Sequence, residues 1–105
     1  RAIMIDDIID TGGTTVGAAE SILGCGATEV YAAATHPVFS GPAYERLEES
    51  PIKEVVVTDT LPLKSGEPRN KINVLTIAPL LANTIRNVFL EDSVSEVFMG
   101  ENQLF

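Results

Sequence analysis

The chain has 105 residues, 45% of them hydrophobic, which is enough for one modest domain with a real core. Its net charge is −8 with only seven scattered Lys and Arg residues, which argues against nucleic acid and anionic membranes as partners. A single cysteine excludes an internal disulfide, and no segment has the length of a membrane span or the pattern of a signal peptide, so we expect a cytoplasmic protein.

The first predicted element is a strand over Ala2 to Ile5, followed by an acidic, glycine-rich stretch. The residues from Thr11 to Thr15 have the composition of a turn whose backbone amides face an anion, because no glycine Cβ hinders the ligand. Apolar residues then recur at helical spacing and predict a helix over about Thr14 to Leu23. The amino end of that helix would attract the same anion. Strand, turn and helix together predict a phosphate site.

Three aspartates beside a phosphate turn need a separate explanation, because they repel an anion. Asp6, Asp7 and Asp10 can accept hydrogen bonds from sugar hydroxyls, and carboxylates are hard oxygen ligands for Mg²⁺. The pattern therefore favours a sugar phosphate, with Mg²⁺ as the cofactor. The alternative is an Asx turn with a capping aspartate and no ligand. A Walker A loop is excluded, since no Gly-Lys-Ser/Thr follows.

The remaining elements alternate along the chain. Strands are predicted at Glu29 to Ala34, Glu54 to Thr58 and Ile72 to Thr76, and helices at Pro42 to Glu48 and from Pro79 onward. Short, continuously apolar strands separated by helices predict a parallel α/β sheet that is buried on both faces. Ligands of such sheets bind at the carboxyl ends of the strands.

Polar residues follow two of these strands. His36 fits a packed or loop-ordering role better than acid-base catalysis. Thr58-Asp59-Thr60 is equally compatible with a strand-end turn and with a substrate contact, and Ser40-Gly41-Pro42 fits a turn that leads into a helix. The segment from Pro62 to Lys71 has the composition of an exposed loop.

The stretch Ile5 to Thr14 resembles the phosphoribosyl-binding loop shared by type I phosphoribosyltransferases and ribose-phosphate pyrophosphokinases. Three further segments, Thr35 to Ala43, Glu54 to Pro62 and Glu91 to Phe98, resemble the pyrophosphokinases in order and spacing. The resemblance implies a type I phosphoribosyltransferase-like fold. It also implies that residues 1–105 form one domain, the C-terminal half of a two-domain enzyme.

The activity implied by the resemblance is Mg²⁺-dependent transfer of diphosphate from ATP to ribose 5-phosphate, giving phosphoribosyl diphosphate and AMP. This chain would supply the ribose 5-phosphate site, whereas the family's ATP-binding and catalytic basic residues map to no position in it. No residue is assigned a proton-transfer role. The substrate-binding residues implied are Asp6, Asp7, Asp10, Thr11, Gly12, Gly13, Thr14 and Thr15.

The resemblance also implies a homo-oligomer with a regulatory site for ADP and phosphate at Ser93, Ser95 and Phe98. A C-terminal strand or turn that docks in an oligomer is the alternative for that segment. Two other functions remain open for the whole chain. One is a nucleobase phosphoribosyltransferase, and the other is a noncatalytic regulatory or binding paralogue.

Overall fold

The computed structural model describes residues 1–90. The chain divides into two compact units, of which the first is Arg1–Leu75 and the second begins at Thr76. The predicted regulatory residues Ser93, Ser95 and Phe98 lie outside the described residues. Within the described part, no helix is both long and apolar enough to cross a membrane.

The first unit alternates strands and helices, as the sequence predicts. Its four strands form one parallel sheet in the order β1-β2-β3-β4. The parallel α/β prediction is therefore confirmed. The elements are β1 (Ala2–Ile9), α1 (Gly13–Gly24), β2 (Val30–Pro37), α2 (Ala43–Glu49), β3 (Val55–Thr58) and β4 (Ile72–Leu75).

Strand β1 continues past its predicted end at Ile5 to Ile9. It pairs with β2 along this extension, where Asp6 lies opposite Ala34 and Ile9 opposite Pro37. The neighbouring strand offers backbone partners here, and their pairing overrides the turn-like composition of the acidic segment. The first two aspartates are therefore strand residues.

The core lies on one face of the sheet. The connections β1-α1-β2 and β2-α2-β3 each advance by one strand in the same direction across the sheet. Because such connections are right-handed, α1 and α2 lie on the same side. On the other face, Ile3 and Ile5 are 68% and 82% exposed. The prediction of burial on both faces is therefore wrong for this unit. The core residues are Ile9, Ala19, Val30, Ala32, Ala34, Phe39, Ala43, Tyr44, Leu47, Ile52, Val55 and Val57.

The connection from β2 to α2 is tied to the end of β1. The amide of Phe39 donates to the carbonyl of Ile9 at 3.1 Å, and the amide of Ser40 donates to that of Asp10 at 2.9 Å. Phe39 has a φ of 48°, a costly conformation for a bulky residue, and its ring is buried edge-on against Tyr44. Pro42 directly precedes α2, which confirms the predicted turn into a helix.

The second unit contains α3 (Ala78–Phe89). Pro79 lies in its first turn, as predicted, where the missing amide costs nothing. Just before the helix, Oγ1 of Thr76 accepts from the amide of Ala78 at 3.1 Å. The Oγ1 of Thr84 donates to the carbonyl of Leu80 at 2.8 Å within the helix.

Candidate functional site

The bend between β1 and α1 presents backbone amides that have no acceptor. Gly12 adopts φ 82° and ψ −7°, a left-handed conformation, and α1 begins at the next residue. The first bond of the helix runs from the amide of Val16 to the carbonyl of Gly12 at 2.9 Å. Within residues 1–90 the amides of Gly13, Thr14 and Thr15 have no partner. They remain available to an anion at the positive end of the helix dipole.

A cavity of about 200 Å³ opens beside this bend. It contains all the predicted substrate-binding residues except Asp7 and Gly13. The threonine hydroxyls can donate hydrogen bonds and the carboxylates can accept them, which suits a ligand with both an anionic and a hydroxylated part. The lining residues are Asp6, Ile8, Asp10, Thr11, Gly12, Thr14 and Thr15.

Asp7 is not among the residues that line this cavity. Its amide donates to Oδ1 of Asp6 at 2.8 Å. The pKa of the Asp7 carboxyl lies below its ordinary value of 3.8, chiefly because the Asp6 side chain hydrogen-bonds to it. Its own backbone amide and that of Ile8 lower the pKa further, and so does the charge of His36. Asp7 therefore stays ionised in moderately acidic solution.

The two glycines of the bend are explained by helix α2. A Cβ on Gly12 would meet Leu47 at 3.7 Å and Ala43 at 3.8 Å, and one on Gly13 would lie 3.0 Å from Nη1 of Arg46. The missing side chains therefore face α2, whereas the sequence analysis expected them to open a path for the ligand. Gly12 is required for its positive φ. Gly13 leaves room for a guanidinium.

Arg46 is a site residue that the sequence analysis missed. Its Nη1 donates to the carbonyl of Thr11 at 3.0 Å across a separation of 35 residues. A contact between positions so far apart has no local sequence signal. Its position between Ala43 and Leu47, on the buried side of α2, becomes apparent only when the helix is packed.

A second polar cluster lies at the ends of β2 and β3. Nδ1 of His36 is 2.9 Å from Oγ1 of Thr60, and this hydroxyl donates to the carbonyl of Thr35 at 3.1 Å. The Thr60 hydroxyl thus lies within hydrogen-bonding distance of both His36 and the Thr35 carbonyl. This bonding supports the loop-ordering interpretation of His36.

The hydroxyl of Thr58 also donates to the carbonyl of Thr35, at 2.6 Å, and accepts from the amide of Thr60 at 3.2 Å. These bonds favour the strand-end turn over a substrate contact for this segment. Thr58 nevertheless lines a second, largely apolar cavity of about 230 Å³, to which Asp6 also contributes.

The donor set of the bend suits a metal that is shared with substrate. Among residues 1–90 no group of three or more His, Cys, Asp or Glu side chains converges on one point. An all-protein cage is therefore not formed by the described residues. Mg²⁺ typically uses one or two carboxylates together with waters and substrate phosphates. Asp6 and Asp10, which both line the bend cavity, provide the hard oxygen atoms that such an ion takes.

Sequence comparison gives matches over almost the whole chain. Residues 1–99 match the family described as the phosphoribosyl synthetase-associated domain. The chain is 56% identical over 98 residues to the ribose-phosphate pyrophosphokinase of Caldanaerobacter subterraneus, which covers 93% of this chain and 31% of that protein. It is 48% identical over 101 residues to the protein of the same name from Clostridium acetobutylicum, covering 96% of this chain and 32% of that protein.

The fold is similar to a solved structure. The crystal structure of phosphoribosylpyrophosphate synthetase from Mycobacterium smegmatis superposes with a TM-score of 0.82 at 50% sequence identity. The match covers 87% of this chain and 31% of that one. The chain thus spans about a third of the length of these relatives.

Proposed function

The chain belongs to the phosphoribosyl synthetase-associated domain family, and from that premise we propose that it supplies the ribose 5-phosphate site of a ribose-phosphate pyrophosphokinase. The observation that carries the proposal is the bend itself, where three amides that have no acceptor among residues 1–90 lie next to a cavity lined by Asp6 and Asp10. Two curated relatives at 56% and 48% identity are named for this activity.

In this proposal the 5-phosphate binds at the amides of Gly13, Thr14 and Thr15 and at the threonine hydroxyls beside them. Asp6 accepts hydrogen bonds from the ribose hydroxyls, and Asp7 extends the acidic edge of the strand. Mg²⁺ is held by Asp6 and Asp10 together with the substrate. When bound, the ion neutralises charge on the transferring group.

The proposed reaction forms a bond between the 1-hydroxyl oxygen of ribose 5-phosphate and the β-phosphorus of ATP. The bond from that phosphorus to the α–β bridging oxygen breaks, AMP leaves, and the proton of the attacking hydroxyl is released to solvent. The bend contributes by gripping the far end of the sugar, so that binding energy orients the attacking hydroxyl. None of its residues has to move a proton.

Several finer points of the proposal rest on the resemblance of the sequence segments. They are the placement of the chain as the C-terminal domain of the enzyme, its homo-oligomeric state, and regulation by ADP and phosphate. ATP binding is assigned to parts of such an enzyme outside these residues.

Calorimetric titration of ribose 5-phosphate with Mg²⁺ tests the site directly. We expect the wild type to bind and a Gly13→Val variant to bind at least about tenfold more weakly, equivalent to about 1.4 kcal/mol. Gly17→Val is the matched control, because it makes the same change in α1 where a Cβ meets no atom within 4 Å. Failure of the wild type to bind ribose 5-phosphate would contradict the proposal.

A further inference from the structure

One arginine crosses the base of the bend. Arg46 is half-buried on α2, beside the fully buried Leu47. Its Nη1 donates to the carbonyl of Thr11 at 3.0 Å, and the same atom lies 3.0 Å from the point where a Cβ of Gly13 would be. The guanidinium therefore fills the space left by Gly13 while it is bonded to Thr11.

The bend has two sides, and Arg46 lies on the side away from the cavity. The cavity is lined by the strand end and by the threonines of the bend, and Arg46 is not among its lining residues. The side where Gly12 lacks a Cβ faces Ala43 and Leu47 of α2. A direct bond from Arg46 to a ligand in the cavity is therefore not the role that this geometry supports. Arg46 reaches the site through the Thr11 carbonyl.

The bond to Thr11 is of a kind that can fix a turn. A guanidinium N–H to a carbonyl is a charge-assisted hydrogen bond, which is stronger than a neutral one. Two other basic side chains of the first unit are bonded elsewhere: Arg1 pairs with Glu29 at 2.8 Å, and Lys71 donates to the carbonyl of Ser50. Among residues 1–75, Arg46 is the basic side chain that is bonded to the bend.

We infer that Arg46 is a positioning residue for the phosphate site. It holds the carbonyl of Thr11 toward α2, and this orientation keeps the following amides of Thr14 and Thr15 turned toward the cavity. The inference deepens the proposed function, and its effect on ribose 5-phosphate rests on that function. The effect of Arg46 on the orientation of the bend does not depend on the proposed function.

The test is a double-mutant cycle with Arg46→Met and Gly13→Ala, made in the full chain. Gly13 has an ordinary helical φ, so alanine is tolerated by the backbone and its methyl group displaces only the guanidinium. Each single change should weaken ribose 5-phosphate binding by about three- to tenfold, the equivalent of one lost hydrogen bond. The affinity of the double variant for ribose 5-phosphate should lie within about twofold of that of either single variant, because both changes remove the same contact.

Arg69→Met is the charge-matched control. Arg69 is exposed, and its side chain makes no contact with the bend. We expect this variant to bind as the wild type does. Arg46→Lys retains charge and a donor on a shorter, unforked chain, so it should recover part of the lost affinity. A merely structural role for Arg46 would lower the unfolding midpoint and leave the affinity of the folded protein unchanged.

Amide resonances separate failure of this inference from failure of the proposed function. Arg46→Met should shift the ¹⁵N–¹H signals of Gly12, Thr14 and Thr15, and Arg69→Met should not. That result supports the positioning role even if the wild type fails to bind ribose 5-phosphate, an outcome that would overturn only the proposed function. Unmoved bend amides in Arg46→Met, or fully additive effects of the two substitutions, would overturn the inference.

Discussion

At the scale of single residues, Gly12 and Gly17 provide a direct comparison. Gly12 has a φ of 82°, whereas Gly17 lies inside α1 with open space around it. We expect Gly12→Ala to lower the free energy of unfolding by about 1–2 kcal/mol, the cost of a left-handed conformation for a residue with a Cβ. Gly17→Ala should raise it by about 0.5–1 kcal/mol, because alanine is the better helix former.

Urea unfolding followed by circular dichroism measures both changes. Similar free energies for the two variants would mean that the bend does not hold the left-handed conformation of Gly12. Because this comparison concerns only the backbone conformation, it requires no measurement of ligand binding.

The residues of the bend were predictable from composition, but their physical roles were not. The run from Asp10 to Thr15 predicts a phosphate turn, because glycine, threonine and aspartate together favour such turns. The side on which the glycines are needed depends on α2, which lies far away in sequence. The contact of Arg46 and the positive φ of Phe39 were likewise not predictable, because long-range packing explains both.

At the scale of elements, Glu29, the residue just before β2, is bonded to the start of β1. The carbonyl of Glu29 accepts from the amide of Ala2 at 2.9 Å, and its carboxylate pairs with Arg1 and accepts from the hydroxyl of Tyr31 at 3.1 Å. The pKa of Tyr31 is raised above its ordinary value of 10.0, chiefly by this hydrogen bond and then by desolvation and the charge of Glu29.

This arrangement predicts a pH dependence at alkaline pH. The raised pKa favours the neutral phenol in the folded state, so its contribution to stability is present below the unfolded pKa and is lost as pH rises through the folded pKa. Glu29→Ala should lower the pKa of Tyr31 toward 10.0, as followed by the ring resonances. Glu54→Ala is the control, because Glu54 acts on Tyr31 through charge alone and should shift it less.

The elements followed the sequence closely except at the ends of β1 and β2, the latter predicted to end at Ala34 but continuing to Pro37. Helix α1 was predicted over Thr14 to Leu23 and spans Gly13–Gly24, because its apolar spacing and terminal glycines are local signals. Strand β1 was predicted to end at Ile5 but continues to Ile9. Strand length depends on what the neighbouring strand offers, and β2 continues to Pro37.

At the scale of the whole molecule, the first unit has a sheet with one covered face. Ile5 and Ile9 lie on the same strand and are 82% and 2% exposed, respectively. We expect Ile9→Ala to lower the free energy of unfolding by about 2–5 kcal/mol, and Ile5→Ala by no more than about 0.5 kcal/mol. Chemical denaturation of the two variants measures this difference. A large cost for Ile5→Ala would show that its face of the sheet is covered in solution.

The fold class could be predicted because alternating apolar strands and helices permit few topologies. The one-sided sheet could not, since continuous apolar strands look alike whether one or both of their faces are covered. The strand order settles it, and strand order is a property of the assembled sheet. The relatives are about three times as long as this chain, which covers 31% of the length of one of them. In the proposed function, the steps that the bend does not perform are assigned to the other parts of such an enzyme.

The bond between Thr11 and Arg46 limits how the bend can be transplanted. A synthetic peptide copied from the glycine-rich segment would contain the proposed anion-binding residues and still lack Arg46. Under the proposed role of Arg46, grafting the bend onto another scaffold therefore requires the second helix with its arginine.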